Sequence, residues 1–207
     1  MLTIVTPSAE HLDLEAETLV RHPDNDVRAF PDGEVYIQLD DVEELDEALV
    51  VHAGMPEPNR GLSYLTGLLD LLAGHDVRTE VFFSYMPYGM QDEVFFDGSL
   101  NYARALLRRL TGYYGVQQVH VVDAHFCHRP WTEEFPFQCV HAFPLLAEDI
   151  DMEPCTVLGP DRGAEKRFGI ESFSKQRENS YTVSIEGDGD VEGKNVLVFD
   201  DIIETGG

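Results

Sequence analysis

At 207 residues and 43% hydrophobic, the chain carries apolar material for one ordinary domain or two small ones, which excludes disorder throughout. Its 39 acidic residues against 14 basic give a net charge of −25, which opposes nucleic-acid phosphate and anionic membrane, since both need a basic face. No apolar run reaches the roughly 18 residues needed to cross a bilayer, and the opening Met-Leu-Thr-Ile-Val-Thr-Pro reads as a strand rather than a signal segment, so a cytoplasmic location is expected.

Short apolar runs alternate with helical patterns along the chain, the pattern of a parallel α/β sheet. Strands are expected at Leu2–Thr6, Val35–Leu39, Ala48–His52, Thr79–Phe83 and Val119–Asp123, with helices over Gly61–Ala73 and Leu100–Leu110. A second series follows: helix at Phe143–Ile150, strand at Cys155–Leu158, a short helix at Asp161–Phe168, and strands at Tyr181–Ile185 and Asn195–Phe199. A hinge at Asp151–Pro154 divides residues 1–150 from 151–207, giving two α/β halves. Cys127, Cys139 and Cys155 are odd in number and lack Cys-x-x-Cys spacing, so buried free thiols are expected. Only three of the basic residues are lysines and the acid is spread over the whole chain, as expected for a host cytoplasm whose salt screens the self-repulsion.

In open α/β sheets ligands sit outside the carboxyl ends of the strands, so polar residues there carry the most information. The last strand ends in Asp200 and Asp201, followed by Glu204-Thr-Gly-Gly207. Consecutive glycines and a threonine hydroxyl suit a phosphate, while the aspartates can accept ribose hydroxyls or hold a magnesium ion.

These residues resemble the phosphoribosyl diphosphate (PRPP) motif of type I phosphoribosyltransferases and PRPP synthases. Further segments, in the same order along the chain, resemble the synthase family, ribose-phosphate pyrophosphokinase. Phe30-Pro-Asp-Gly-Glu34 is similar to its adenine-binding turn, and Pro87-Tyr-Gly-Met-Gln-Asp92 to its second ATP segment. Val122-Asp-Ala-His125 and Gly159-Pro-Asp-Arg-Gly163 resemble two metal-linked strand ends, Ser174-Lys-Gln-Arg177 the catalytic flap, and Gly187–Gly193 the spacer before the PRPP strand.

The resemblance implies two tandem phosphoribosyltransferase-like halves with parallel sheets flanked by helices, the second incomplete. It implies attack of the C1 hydroxyl of ribose 5-phosphate on the β-phosphorus of ATP, giving PRPP and AMP. Phe30, Asp32, Gly33, Glu34, Gln91 and Asp92 would bind ATP, and Asp200, Asp201, Glu204, Thr205, Gly206 and Gly207 the ribose 5-phosphate. Lys175 and Arg177 would be catalytic, and His125 and Asp161 would bind Mg2+. The adenine turn completes a neighbouring subunit's site in the family, which implies a homo-oligomer. Two other readings are a non-catalytic synthase-like regulatory subunit and a nucleobase phosphoribosyltransferase.

Three departures from the family pattern stand out. Met90 and Glu93 occupy positions where the second ATP segment carries arginines, which removes two cations from the phosphates and reverses one charge. The helix after Asp161 is shorter than the pattern leads one to expect. The chain stops at Gly207, inside the PRPP loop, so a fragment of a longer enzyme is expected, the other possibility being a chain that a partner completes.

Overall fold

The computed structural model describes residues 1–24, 26–148, 150, 155–159, 164, 174–177, 183–186 and 191–202. They form two compact units, Met1–Val140 and His141–Gly207. The expected hinge at Asp151–Pro154 lies outside the described residues.

The first unit is a six-stranded sheet built from β1 (Leu2–Val5), β2 (Glu17–Thr18), β3 (Glu47–Ala53), β4 (Arg78–Tyr85), β5 (Gln118–Val122) and β6 (Phe137–Val140). Its order is β2-β1-β3-β4-β5-β6 with every pair parallel. The register aligns Ile4, Val50, Val81, Val119 and Phe137 in one row across five strands. Because side chains alternate between faces, that row presents one apolar face.

Helix α1 (Pro58–Gly74) brings Leu65, Leu68, Leu69 and Leu72 to that core, and α2 (Tyr102–Gly112) brings Leu106, Leu107 and Leu110. These spacings of three and four keep each set on one helical stripe. Pro58 opens α1, while the Asn101 side chain caps α2 by accepting from the Arg104 N–H. The opposite face is thinner: Val5, Val51 and Ala53 pack with Ala9, and the row beyond them turns polar at His120 and Gln138.

Within the second unit, α3 (Phe143–Ala147) precedes β7 (Cys155–Leu158), which pairs in parallel with β10 (Asn195–Val198). Strands β8 (Ser174–Arg177) and β9 (Val183–Glu186) form an antiparallel pair.

Several expectations need correction. Val35–Leu39 is no sheet strand. It is the return limb of an arm between β2 and β3, joined by a single antiparallel bridge, Ala29 to Val35. Its apolar alternation serves contact with α1 instead: a Cβ at Gly67 would lie 2.8 Å from Ile37, so the glycine lets Ile37 approach the helix. Strand β6 was not anticipated. Ser174–Arg177, the flap-like segment, forms strand β8. Cys127 and Cys139 form a disulfide, Cα to Cα 6.0 Å, because the turn after β5 folds back beside the end of β6; Cys155, in β7, is not part of it. The expected helix at Asp161–Phe168 falls outside the described residues except for Ala164, which is helical.

Candidate active site

The carboxyl ends of β4 and β5 carry two of the expected ligand segments, and one ion pair joins them. After β4 the chain turns through Pro87–Gln91, where Tyr88 adopts a left-handed backbone with φ 61°. A bulky residue in that region is strained, and such strain gathers at functional sites. Tyr88 is held there by its ring, stacked 4.0 Å from Tyr102, and by its hydroxyl, which donates to Asn59. Gln91 is exposed and its backbone carbonyl accepts from the Ala103 N–H.

Asp92 differs from Gln91 in being buried, at 2% exposure. Arg129 grips its carboxylate with two hydrogen bonds, from Nε at 2.6 Å and from Nη2 at 3.1 Å, and also reaches Glu93 at 3.1 Å. The Asp92 carbonyl accepts from the Asn101 amide at 2.6 Å and the Trp131 indole at 3.2 Å. Its hydrogen bond to Asp92 raises the pKa of Arg129 above the usual guanidinium value. Arg129 was absent from the expected site residues. Its only sequence signal is an arginine at the end of a strand-end turn in a chain poor in basic residues.

The turn bearing Arg129 is also the one bearing His125. It begins at Asp123, whose φ of 38° redirects the chain out of β5, and closes through Cys127 N–H to Ala124 and Arg129 N–H to Phe126, both at 2.9 Å. His125 is half-buried on it. The structure therefore ties the Pro87–Asp92 segment to the His125 turn.

Phe30–Glu34 sits at the tip of the arm between β2 and β3. The Phe30 N–H donates to the Glu34 carbonyl at 2.8 Å, Gly33 donates back to Phe30 at 2.9 Å, and the Glu34 N–H donates to Asp32 Oδ1 at 3.1 Å. Gly33 supplies the φ of +94° this closure requires. Phe30 is 40% exposed, with His22 and Tyr36 against its edge at 5.6 and 5.7 Å. A partly exposed ring fixed by such aromatic contacts suits stacking on a planar ligand.

In the second unit Asp200 and Asp201 follow one residue after β10, half-buried, and the Asp201 N–H donates to Asp200 Oδ1 at 3.0 Å. The Phe199 N–H bonds the Leu158 carbonyl at 2.9 Å, so the ends of β7 and β10 lie side by side. Glu204, Thr205, Gly206, Gly207 and Asp161 lie outside the described residues. Lys175 and Arg177 are placed in β8 by their backbone alone, paired with Ile185 and Val183.

Among the described residues no three His, Cys, Asp or Glu side chains group into a metal cage. Mg2+ does not require one, since it binds through one or two carboxylates, substrate phosphates and water. The adjacent carboxylates of Asp200 and Asp201 are hard oxygen donors of the right kind.

Comparison with known proteins decides the family. A ribose-phosphate pyrophosphokinase from Pyrococcus furiosus is 31% identical over an alignment covering 100% of this chain and 77% of the relative. The chain belongs to the ribose-phosphate pyrophosphokinase family. Members from Pyrococcus abyssi, 31% identical over 100% of this chain and 76% of theirs, and Thermococcus kodakarensis, 33% identical over 88% and 68%, agree. No family model matches. A solved phosphoribosylpyrophosphate synthetase from Mycobacterium smegmatis superposes with a TM-score of 0.73 at 23% identity, covering 100% of this chain and 73% of that one, which establishes the shared α/β fold.

Proposed function

We propose that this pyrophosphokinase family member is a ribose-phosphate diphosphokinase, moving the diphosphoryl group of ATP to the C1 hydroxyl of ribose 5-phosphate. The observation that carries the reading is a match to pyrophosphokinases over 100% of this chain and 77% of the relative, in a chain whose PRPP-type aspartates follow one residue after β10. The C1 oxygen forms a bond to the β-phosphorus as the bond from that phosphorus to the bridging oxygen breaks, and AMP leaves with that oxygen. Such chemistry depends on positioning and charge neutralisation.

In this account Phe30 stacks on adenine while Asp32 and Glu34 accept from its amino group, with Gly33 shaping the turn. Gln91 contacts ATP, and Asp92 contributes by fixing that segment through Arg129. Asp200 and Asp201 accept ribose hydroxyls, and Glu204, Thr205, Gly206 and Gly207 enclose the 5-phosphate. Lys175 and Arg177 stabilise charge on the transferring group. His125 and Asp161 would hold Mg2+ with the ATP phosphates, and the ion would supply neutralisation of phosphate charge. Residues 1–150 form the N-terminal domain and 151–207 the phosphoribosyltransferase-type portion. Subunits associate so that each adenine turn serves a neighbour, and the protein works in the cytoplasm; no helix among the described residues is long and apolar enough to cross a membrane.

A coupled assay of the intact protein with ATP, Mg2+ and ribose 5-phosphate tests this by AMP release. One observation favours a non-catalytic subunit as the second reading. Met90 and Glu93 stand where the family pattern has arginines, and Arg129, the nearby cation, is already engaged by Asp92 and Glu93. Silence in the assay together with co-purification of an intact synthase would select that reading. Binding of PRPP without ATP would instead support a nucleobase phosphoribosyltransferase.

A further inference from the structure

Two of the chain's three cysteines, Cys127 and Cys139, meet beside the junction that fastens the Pro87–Asp92 segment. Cys139 is the third residue of β6, opposite Val121 of β5, and β6 is the outermost strand of its sheet. Cys127 lies in the turn after β5, two residues beyond His125 and two before Arg129. The bridge ties that turn to an edge strand, and Arg129 carries the connection on to Asp92. All of these residues belong to the first unit.

The fold at this edge has other supports besides the bridge. Strands β5 and β6 pair over four residues, from Val119 with Phe137 to Val122 with Val140. Phe126 is fully buried, its ring stacked on Trp131 at 5.3 Å and tilted against Phe137 at 5.4 Å. A cross-link between residues only twelve apart also constrains the unfolded chain less than one closing a long loop. Opening it therefore loosens the turn locally while the sheet stays folded. Both cysteines are half-buried rather than enclosed, so a small thiol can reach them. In the cytoplasm proposed above, a disulfide is usually transient, catalytic or redox-sensing rather than structural.

Trp131, the one tryptophan of the chain, lies between the two cysteines and reports on the junction. Its indole donates to the Asp92 carbonyl at 3.2 Å, and its ring stacks on Phe126, the residue next to Cys127. A displacement of the turn therefore changes both the indole environment and the support of the Asp92 backbone.

We propose that Cys127 and Cys139 form a reversible thiol–disulfide site that exchanges with a small-molecule thiol, its closed form holding the His125–Arg129 turn and, through Arg129, the Asp92 segment in the arrangement that binds ATP. Opening consumes two external thiols. The first, as thiolate, attacks one cysteine sulfur and forms a mixed disulfide, while the other cysteine leaves and takes up a proton. A second thiolate attacks the external sulfur of that mixed disulfide and releases the remaining cysteine, which is protonated in turn. The protein bridge gains two electrons and the two thiols become one external disulfide. The consequence for ATP rests on the diphosphokinase reading; the exchange itself does not.

The test equilibrates the full chain with glutathione at graded ratios of reduced to oxidised form, counts thiols by alkylation and mass, and records Trp131 emission. Cys127→Ser combined with Cys139→Ser serves as the permanently open form. Reduced glutathione is expected to expose two further thiols per chain while the far-ultraviolet dichroism stays native, and oxidised glutathione to close them again. Trp131 emission should follow the ratio in wild type and ignore it in the double variant. ATP with Mg2+, titrated against Trp131 emission, should bind about fivefold more weakly to reduced wild type and to the double variant than to oxidised wild type, the lower end of coupling between linked sites. Thiols that never pair, a bridge that glutathione opens only when the chain unfolds, or an opening that leaves Trp131 emission unmoved would overturn the proposal. Equal ATP affinity in both redox forms would overturn the link to the Asp92 segment. ATP binding to neither form would count against the diphosphokinase reading, with thiol count and Trp131 emission still deciding the exchange.

Discussion

Arg129 and Asp92, 37 residues apart, form a two-pronged pair at 2.6 and 3.1 Å that fastens the loop after β5 to the loop after β4. Asp92 is only 2% exposed, so this partner offsets the cost of burying it. Removing one member of a buried pair leaves the other charge uncompensated, typically at about 3 kcal/mol.

Arg129→Met is therefore expected to lower stability by about 3 kcal/mol, read by urea unfolding. Asp92→Asn combined with Arg129→Met should recover part of that loss, since no buried charge remains. A single-variant loss below about 1 kcal/mol would mean the pair behaves as an exposed one.

His52 makes stability depend on pH. Its folded pKa, about 4, lies below the ordinary 6.5, so between those values the unfolded chain takes up a proton that the folded chain refuses. This contribution is fully present above pH 6.5 and is lost as pH falls toward 4, by up to about 3 kcal/mol. Because carboxylates also titrate on the acid side, the informative quantity is the difference between wild type and His52→Gln in unfolding free energy at pH 7 and pH 4.5. The wild type should lose more. Parallel pH curves would contradict the assignment.

How far the molecule could be read from its sequence depended on where each signal is stored. Strands β1, β3, β4 and β5 were legible because Ile4, Val50, Val81 and Val119 belong to short β-branched runs buried in a parallel sheet. Phe137–Val140 was not, being four residues preceded by proline. Val35–Leu39 shows that period-two alternation reports burial of one face, here Ile37 against Gly67, and not strand pairing itself. Phe30–Glu34 was legible because a Pro-Asp-Gly turn fixes its own geometry. Arg129 and the Cys127–Cys139 bridge were not, since Arg129 pairs with the loop after β4 and the bridge depends on the parallel return of β6 beside β5, tertiary relations that no local spacing encodes.

Phe30→Ala should leave stability within about 0.5 kcal/mol, as befits an exposed ring. Loss of base stacking, worth about 1–3 kcal/mol, should raise the KM for ATP roughly tenfold or more. Steady-state kinetics with ATP varied provides the check. An unchanged KM would remove Phe30 from the adenine site.

A chain with 39 acids and 14 bases repels itself at low ionic strength. The thermal midpoint should accordingly rise as potassium chloride increases toward about 1 M, where the Debye length shrinks to about 3 Å. Greatest stability in dilute buffer would argue against adaptation to a salt-rich cytoplasm.

The central claim is diphosphoryl transfer, and the most direct measurement is AMP and PRPP formation by the intact protein given ATP, Mg2+ and ribose 5-phosphate, beside Lys175→Ala. Wild type should form both products, and the variant, losing one cation at the transferring group, should fall by about 10²–10³-fold. No AMP from wild type above the level of Lys175→Ala would contradict the account.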